Sequence, residues 1–193
     1  MKRLILAITG ASGVIYGVRM ARELLLRDFE VHLIASDAAC IVLDQELGWD
    51  FTPGREQVFR RHIPGDNLSY YDNTNIAAPV ASGSFISDGM LVMPCSMSTL
   101  SAIAQGSAAN LITRAADVML KERRQLVLVP RETPLNTIHL RNMLALSEIG
   151  VQIVPAMPAF YHRPAGLDDM VAFMVGKVLD LFQVENHLFE RYR

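Results

Sequence analysis

The chain has 193 residues, with 18 Lys and Arg against 20 Asp and Glu, a formal charge of −2; 51% of the residues are apolar and 20% charged. That length fits a single domain able to bury a full core, the near-zero charge excludes a nucleic-acid binder, and the apolar content excludes disorder. No apolar run approaches the ~18 residues of a membrane span, and so low a charge in a small protein predicts that part of the surface packs against other subunits.

The start Met1-Lys2-Arg3 is positive, but the apolar run behind it is short and meets Thr9-Gly10-Ala11-Ser12-Gly13 with no cleavage site, so it does not read as a secretory signal. Residues 2–9 have instead the continuous apolar character of a strand buried on both faces. Val14, Val18, Ala21 and Leu25 recur at helical spacing, which predicts a helix over residues 14–27. A second strand is expected over 30–35, a helix over 37–47 with Asp37 near its start, and a third strand over 57–63 closed by Pro64-Gly65-Asp66. Residues 68–87, rich in Asn, Ser, Gly and Pro, read as a long irregular loop with a function. Then follow a strand over 90–93, helices over 96–105 and 110–121, a strand over 126–129, a helix over 137–149 stopped by Gly150, and a last strand over 151–154. Residues 157–164 read as a loop and 167–184 as a long helix capped by Asp168 or Asp169. The alternation predicts an α/β fold: a doubly wound, Rossmann-like, mostly parallel sheet of five or six strands flanked by helices. One domain over residues 1–193 is expected, with 186–193 as a C-terminal tail covering the site. Two cysteines, Cys40 and Cys95, make no disulfide framework, so the expected location is cytoplasmic.

Ligands of such folds bind at the carboxyl ends of the strands. After the first strand, Thr9-Gly10-Ala11-Ser12-Gly13 offers backbone amides to an anion or a ring at a helix start, although a tight turn explains the same residues. Gly10, Gly13 and Gly17 do not make the dinucleotide fingerprint, and the second strand ends at Ser36 rather than at a ribose-binding acid. Pro94-Cys95-Ser96-Met97-Ser98-Thr99 offers a second anion site or, equally, a serine cap. Pro130-Arg131-Glu132-Thr133-Pro134 places a guanidinium able to grip a phosphate beside a carboxyl able to move a proton, or else a surface ion pair. In the last loop Tyr161 brings a ring and a hydroxyl, and His162 reads as a solvated histidine. Lys121-Glu122-Arg123-Arg124 reads as favourable charge at a helix C-terminus. Zinc spacing, a Walker loop and an aspartate-rich magnesium motif are all absent from the sequence, so no metal is expected.

Seven stretches in order resemble the UbiX-type flavin prenyltransferases, within the wider group of flavin-binding cysteine decarboxylases. They are Thr9 to Gly13 with Tyr16-Gly17, Ser82-Gly83-Ser84-Phe85, Pro94-Cys95-Ser96 with Thr99-Leu100-Ser101, and Arg114-Ala115-Ala116-Asp117-Val118. Leu120-Lys121-Glu122-Arg123-Arg124, Leu126 to Leu135, and Met157 to Pro164 complete the set. The resemblance implies transfer of a dimethylallyl group from dimethylallyl monophosphate to reduced FMN, giving prenylated FMN for a UbiD-type decarboxylase of quinone biosynthesis or of aromatic acids. It also implies a homo-dodecamer with active sites at subunit contacts.

By the same resemblance, Gly10, Ala11 and Ser12 form the first flavin loop, with Ser12 near the reacting part of the ring. Ser36 and Arg131 contact the flavin, and Ser96, Met97, Ser98 and Thr99 form a second loop at its phosphate. Lys121, Glu132, Tyr161 and Lys177 match the prenyl-phosphate pocket, with Arg114 nearby, and Glu46 matches an acid that handles a later proton. Chemistry agrees: a monophosphate leaves only when fixed cations and a proton neutralise it, which suits Lys121, Arg131 and Lys177 with Glu132 as general acid. All four charged groups are expected to converge on one phosphate. Ser98 and Lys177 stand where many relatives have Lys and Arg, and Tyr192 where many have Trp.

A cysteine-type decarboxylase of the same fold is the alternative, but no His follows the first loop, Gly106-Ser107-Ala108-Ala109-Asn110 only partly echoes the P-A-S-A-N-T segment, and Pro134-Leu135-Asn136-Thr137 lacks the P-x-M-N segment. A short-chain dehydrogenase lacks support, since no Tyr has Lys four residues on. A flavin-storage protein would need no second phosphate pocket.

Overall fold

The computed structural model describes residues 1–192. It divides into two compact units, Met1–Pro155 and Ala156–Arg193; Arg193, the last residue of the expected tail, lies outside the described residues.

In the first unit the apolar runs form a six-stranded sheet. Its strands are β1 Arg3–Ile8, β2 Glu30–Ala35, β3 Leu68–Asp72, β4 Gly89–Cys95, β5 Leu126–Pro130 and β6 Gln152–Ile153. Every neighbouring pair is parallel, in the order β3-β2-β1-β4-β5-β6. The chain winds outward from β1 in both directions, so the loops after β1 and β4 flank the point where such a sheet opens a crevice. The helices are α1 Val14–Leu25, α2 Asp37–Leu47, α3 Arg55–His62, α4 Met97–Ala104, α5 Leu111–Lys121 and α6 Thr137–Glu148. The uninterrupted apolar runs are explained by burial: β4 and β5 are buried at every residue and β1 at all but Arg3. Gly17 lets α1 lie directly on β4, since an added Cβ would stand 2.2 Å from the Met93 carbonyl oxygen.

Two expectations fail here. Residues 57–63 lie largely in helix α3, and the third strand is β3, inside the segment expected to be irregular. Adjacent buried residues Val58 and Phe59 imitate a short strand. An ion pair from Glu56 to Arg60 and basic residues in the last turn favour the helix instead. Phe59 then stacks on Tyr70 of β3 at 5.0 Å, which gives that polar edge strand its apolar backing.

The second unit holds α7, Leu167–Leu181. Gly166, not an aspartate, occupies its cap position; Asp169 contributes from the first turn by accepting the Ala165 N–H at 2.7 Å. The chain after α7 is fastened back onto it. Arg191 forks onto Asp180 at 2.9 and 2.7 Å, and Asn186 donates to the Gly176 carbonyl at 3.3 Å.

A buried histidine on β2 carries a pH dependence. His32, 3% exposed, bridges the Tyr71 hydroxyl and the Glu30 carboxylate, with Arg3 on Glu30 and the Phe85 ring edge-on. Burial pushes the His32 imidazole below its ordinary value against the pull of Glu30. Burial also raises Glu30, but the Arg3 hydrogen bond and the His32 and Arg3 charges outweigh it and hold the carboxyl low. The unfolded chain therefore takes up a proton at His32 at higher pH than the folded chain, and stability falls as pH drops through about 6.5. His62 is shifted the same way by burial and by Arg61 and Arg22. His32→Gln should flatten the decline in melting temperature between about pH 7 and 5.5, leaving the His62 share; an unchanged slope would contradict the assignment.

Candidate active site

The loops at the carboxyl ends of β1 and β4 meet through one hydroxyl. Thr9 is 1% exposed. Its Oγ1 donates to the Pro94 carbonyl at 2.8 Å and accepts the Ser96 N–H at 2.7 Å. Its backbone N–H donates to the same Pro94 carbonyl at 3.2 Å. Arg131, just past β5, joins them: its backbone N–H donates to the Cys95 carbonyl and its Nε donates to the Ser12 carbonyl at 3.3 Å. The end of β2 joins as well, because a Cβ on Gly10 would stand 2.3 Å from that of Ala38, at the start of α2. Gly10, Ala11, Ser12, Ser36, Ser96 and Arg131 thus lie along one shelf of adjoining loops.

The three helix starts on this shelf, of α1, α2 and α4, differ in charge, and α2 carries Asp37 in its first turn. Gly13, at φ +92°, turns the chain into α1. The Glu46 carboxylate, reaching from α2, accepts the Gly13 N–H at 2.9 Å and the Val14 N–H at 3.2 Å. The amides that would hold an anion at α1 are therefore occupied by a carboxylate of the chain itself. The α4 start has no acid in its first turn and carries Ser96, Ser98 and Thr99, so it is the end suited to a phosphate. The serine-cap reading holds at Ser96, whose Oγ accepts the Thr99 N–H at 3.3 Å; Ser36 caps α2 in the same way, its Oγ accepting the Ala39 N–H at 3.1 Å. Met97 is buried beneath this loop, while Ser98 is exposed.

Arg131 and Glu132 do not form the surface ion pair considered above. The Glu132 carboxylate, exposed, accepts the Thr133 N–H at 3.0 Å.

Lys121 and Arg114 do not join this shelf. Lys121 is the last residue of α5, which returns the chain to the amino end of β5, whereas Arg131 and Glu132 follow its carboxyl end. A five-residue strand puts those ends about 15 Å apart. The expected convergence of Lys121, Arg131 and Glu132 on one phosphate is thus not met within one chain, because a parallel strand must be crossed from one end to the other. Arg114 is engaged structurally, donating to the Ala81 carbonyl at 3.1 Å and to Asp117 at 2.8 Å. The run at 121–124 is also more than charge at a helix end. Lys121 pairs with Glu122, and Arg124 donates to the carbonyls of Phe85 and Gly83 at 2.6 and 2.8 Å.

In the second unit Tyr161 meets His162, Phe173 and Tyr192 edge-on. His162 is not a solvated histidine. Its ring stacks on Phe173 at 5.0 Å, and both ring nitrogens are buried without a hydrogen-bond partner. Tyr161, His162, Arg163, Arg191 and Tyr192 line a cavity of about 390 Å³. Lys177 is exposed on α7. The Asp180 carboxyl is held low by the Arg191 hydrogen bond and, in smaller part, by the Lys177 charge.

Among the described residues no group of three or more His, Cys, Asp or Glu could hold a metal ion, and no helix is long and apolar enough to cross a membrane. The sequence shows Thr9 only as part of a glycine turn, although a hydroxyl ending a buried apolar run is itself a signal of a partner at a strand end.

The flavoprotein family model matches residues 1–179. The flavin prenyltransferase UbiX of Alkalihalophilus pseudofirmus is 51% identical over 194 residues, spanning 99% of this chain and 96% of that protein. AnUbiX, solved in complex with FMN and dimethylallyl pyrophosphate, superposes at a TM-score of 0.90 and 43% identity over 100% of this chain and 97% of its own. The dodecameric FMN-dependent UbiX-like decarboxylase from Escherichia coli O157:H7 gives 0.88 at 44% identity over 99% of each chain. The solved cysteine decarboxylase TvaF and peptidyl-cysteine decarboxylase EpiD are 18% and 19% identical at TM-scores of 0.61 and 0.64, a likeness of fold alone. The chain belongs to the flavoprotein family and, within it, to the UbiX flavin prenyltransferases.

Proposed function

We propose that this chain joins a dimethylallyl group from dimethylallyl monophosphate to reduced FMN, and that the prenylated FMN is passed to a UbiD-type decarboxylase. The observation that carries this reading is the shelf of small residues tied together by Thr9, with Arg131 on one side and the acid-free start of α4 on the other. Gly10, Ala11 and Ser12 bring backbone against the flavin ring, Ser36 and Arg131 bound it, and Ser96, Met97, Ser98 and Thr99 hold its phosphate. Reduced FMN supplies the nucleophilic ring. Glu132 donates a proton to the departing phosphate, while Lys121 and Lys177 neutralise its charge and the Tyr161 hydroxyl contacts it. Lys177, in place of a guanidinium, makes that contact a point charge rather than a fork. Arg114 acts near the site by holding the turn at Ala81. Glu46, fixed by the amides of Gly13 and Val14, is the proton acceptor beside Ser12. We treat residues 1–193 as one functional domain, which the match over residues 1–179 supports.

Lys121 and Glu132 can serve one phosphate only if different copies of the chain supply them. Helix α6 supports such an assembly. Its outward residues Ile138, Leu140 and Leu144 are 64%, 54% and 59% exposed, while polar Asn142 is buried at 7%. An apolar face turned outward suits burial against another copy. A dodecamer like that of the Escherichia coli relative is the proposed state. Two buried free thiols, Cys40 and Cys95, accord with a reducing cytoplasm.

Incubation with reduced FMN and dimethylallyl monophosphate should give a flavin heavier by one prenyl group on mass spectrometry, with the diphosphate run in parallel to rank the donors. Bound FMN with no adduct from either donor would contradict the reading. Glu132→Gln should slow single-turnover prenylation by at least about a hundredfold while FMN still binds. Leu144→Glu should yield a smaller species by light scattering; an unchanged mass would remove α6 from the interface.

A further inference from the structure

We infer that Gly83 and Glu122 are positioning residues that seat the Lys121 ammonium, and so set the grip on the allyl phosphate. The inference rests on the reading that Lys121 holds that phosphate. Lysine is a flexible point charge on a four-carbon stem, so its value to a leaving group depends on what fixes it. Three features fix it here. Glu122 Oε1 pairs with Lys121 Nζ. Gly83 lies directly against the pair: a Cβ there would stand 2.7 Å from Lys121 Nζ and 2.3 Å from Glu122 Oε1. The turn that contains Gly83 is itself held, because Arg124 donates to the carbonyls of Gly83 and Phe85. The ammonium has three donors and Glu122 takes one, which leaves two for phosphate oxygens. The Lys121 hydrogen bond and charge hold the Glu122 carboxyl below its usual range.

A carboxylate beside a phosphate site can also compete for the lysine, and the two effects have opposite signs. If Glu122 positions Lys121, Glu122→Ala loses the seat while Glu122→Gln keeps an acceptor oxygen at the same reach. If competition dominates, both variants tighten phosphate binding. Gly83→Ala displaces the pair without touching its charges.

The test is steady-state kinetics of the assembled enzyme with dimethylallyl monophosphate, together with FMN binding for each variant. Positioning predicts that Gly83→Ala and Glu122→Ala raise the KM for the allyl phosphate about tenfold or more, with FMN affinity unchanged, and that Glu122→Gln stays within about threefold of the parent. A fall in KM in both Glu122 variants, or an unchanged KM in Glu122→Ala and Gly83→Ala, overturns the inference. Lys121→Met separates the two levels. If it leaves the allyl-phosphate KM unchanged, the underlying assignment of Lys121 fails; if it raises KM while Glu122→Ala and Gly83→Ala do not, only the positioning role fails.

Discussion

One buried hydroxyl, Thr9 Oγ1, links the Pro94 carbonyl to the Ser96 N–H and so fixes the loop after β1 against the loop after β4. The remaining parts of the shelf hang on those two loops. Arg131 reaches the Ser12 carbonyl, Glu46 caps the turn at Gly13, and Gly10 packs against the start of α2. Without that hydroxyl the Ser96 N–H, partly buried, would lose its partner, while the Pro94 carbonyl would keep only the Thr9 backbone N–H. The helix starts around these loops differ in charge: Glu46 occupies the start of α1 and Asp37 sits in the first turn of α2, which leaves α4 as the one suited to an anion.

A second constraint comes from the parallel sheet. Each crossover returns the chain to the amino end of the next strand, so a residue ending a helix and a residue following a strand face opposite ends of the unit. Lys121 and Glu132 are such a pair. The proposed chemistry, which uses Lys121 and Glu132 at one phosphate, therefore draws them from different copies. The composition belongs to the same picture: with 51% apolar and 20% charged residues, the chain has apolar surface to turn outward, and α6 turns it.

Much of this was legible in the sequence because buried parallel strands are written as uninterrupted apolar runs, and because the loops after β1, β4 and β5 carry the residue types that small-ligand chemistry needs. Strand β2 and helix α2 were delimited to the residue. What was not legible depends on contacts distant in the chain. Strand β3 hides behind Ser69, Tyr70 and Tyr71, and gains its backing from Phe59 in α3 on Tyr70 and from His32 in β2 on Tyr71. The ring nitrogens of His162 are covered in a setting where Phe173 stacks on the ring and Tyr161 meets it edge-on. The separation of Lys121 from Glu132 is by contrast written in the order of elements, since a helix ending at residue 121 feeds the amino end of a parallel strand and Glu132 follows its carboxyl end; the expected convergence on one phosphate overlooked it.

The composite site is most directly tested by mixing two inactive variants. Lys121→Ala and Glu132→Gln, each purified alone, should fail to prenylate FMN. Co-expressed so that both copies enter one assembly, they should recover prenylation at about a quarter of the parent level, because random mixing leaves that share of shared sites with both groups intact. A mixed assembly as inactive as either variant, with its mixed composition verified by mass spectrometry, would contradict a site built from two copies.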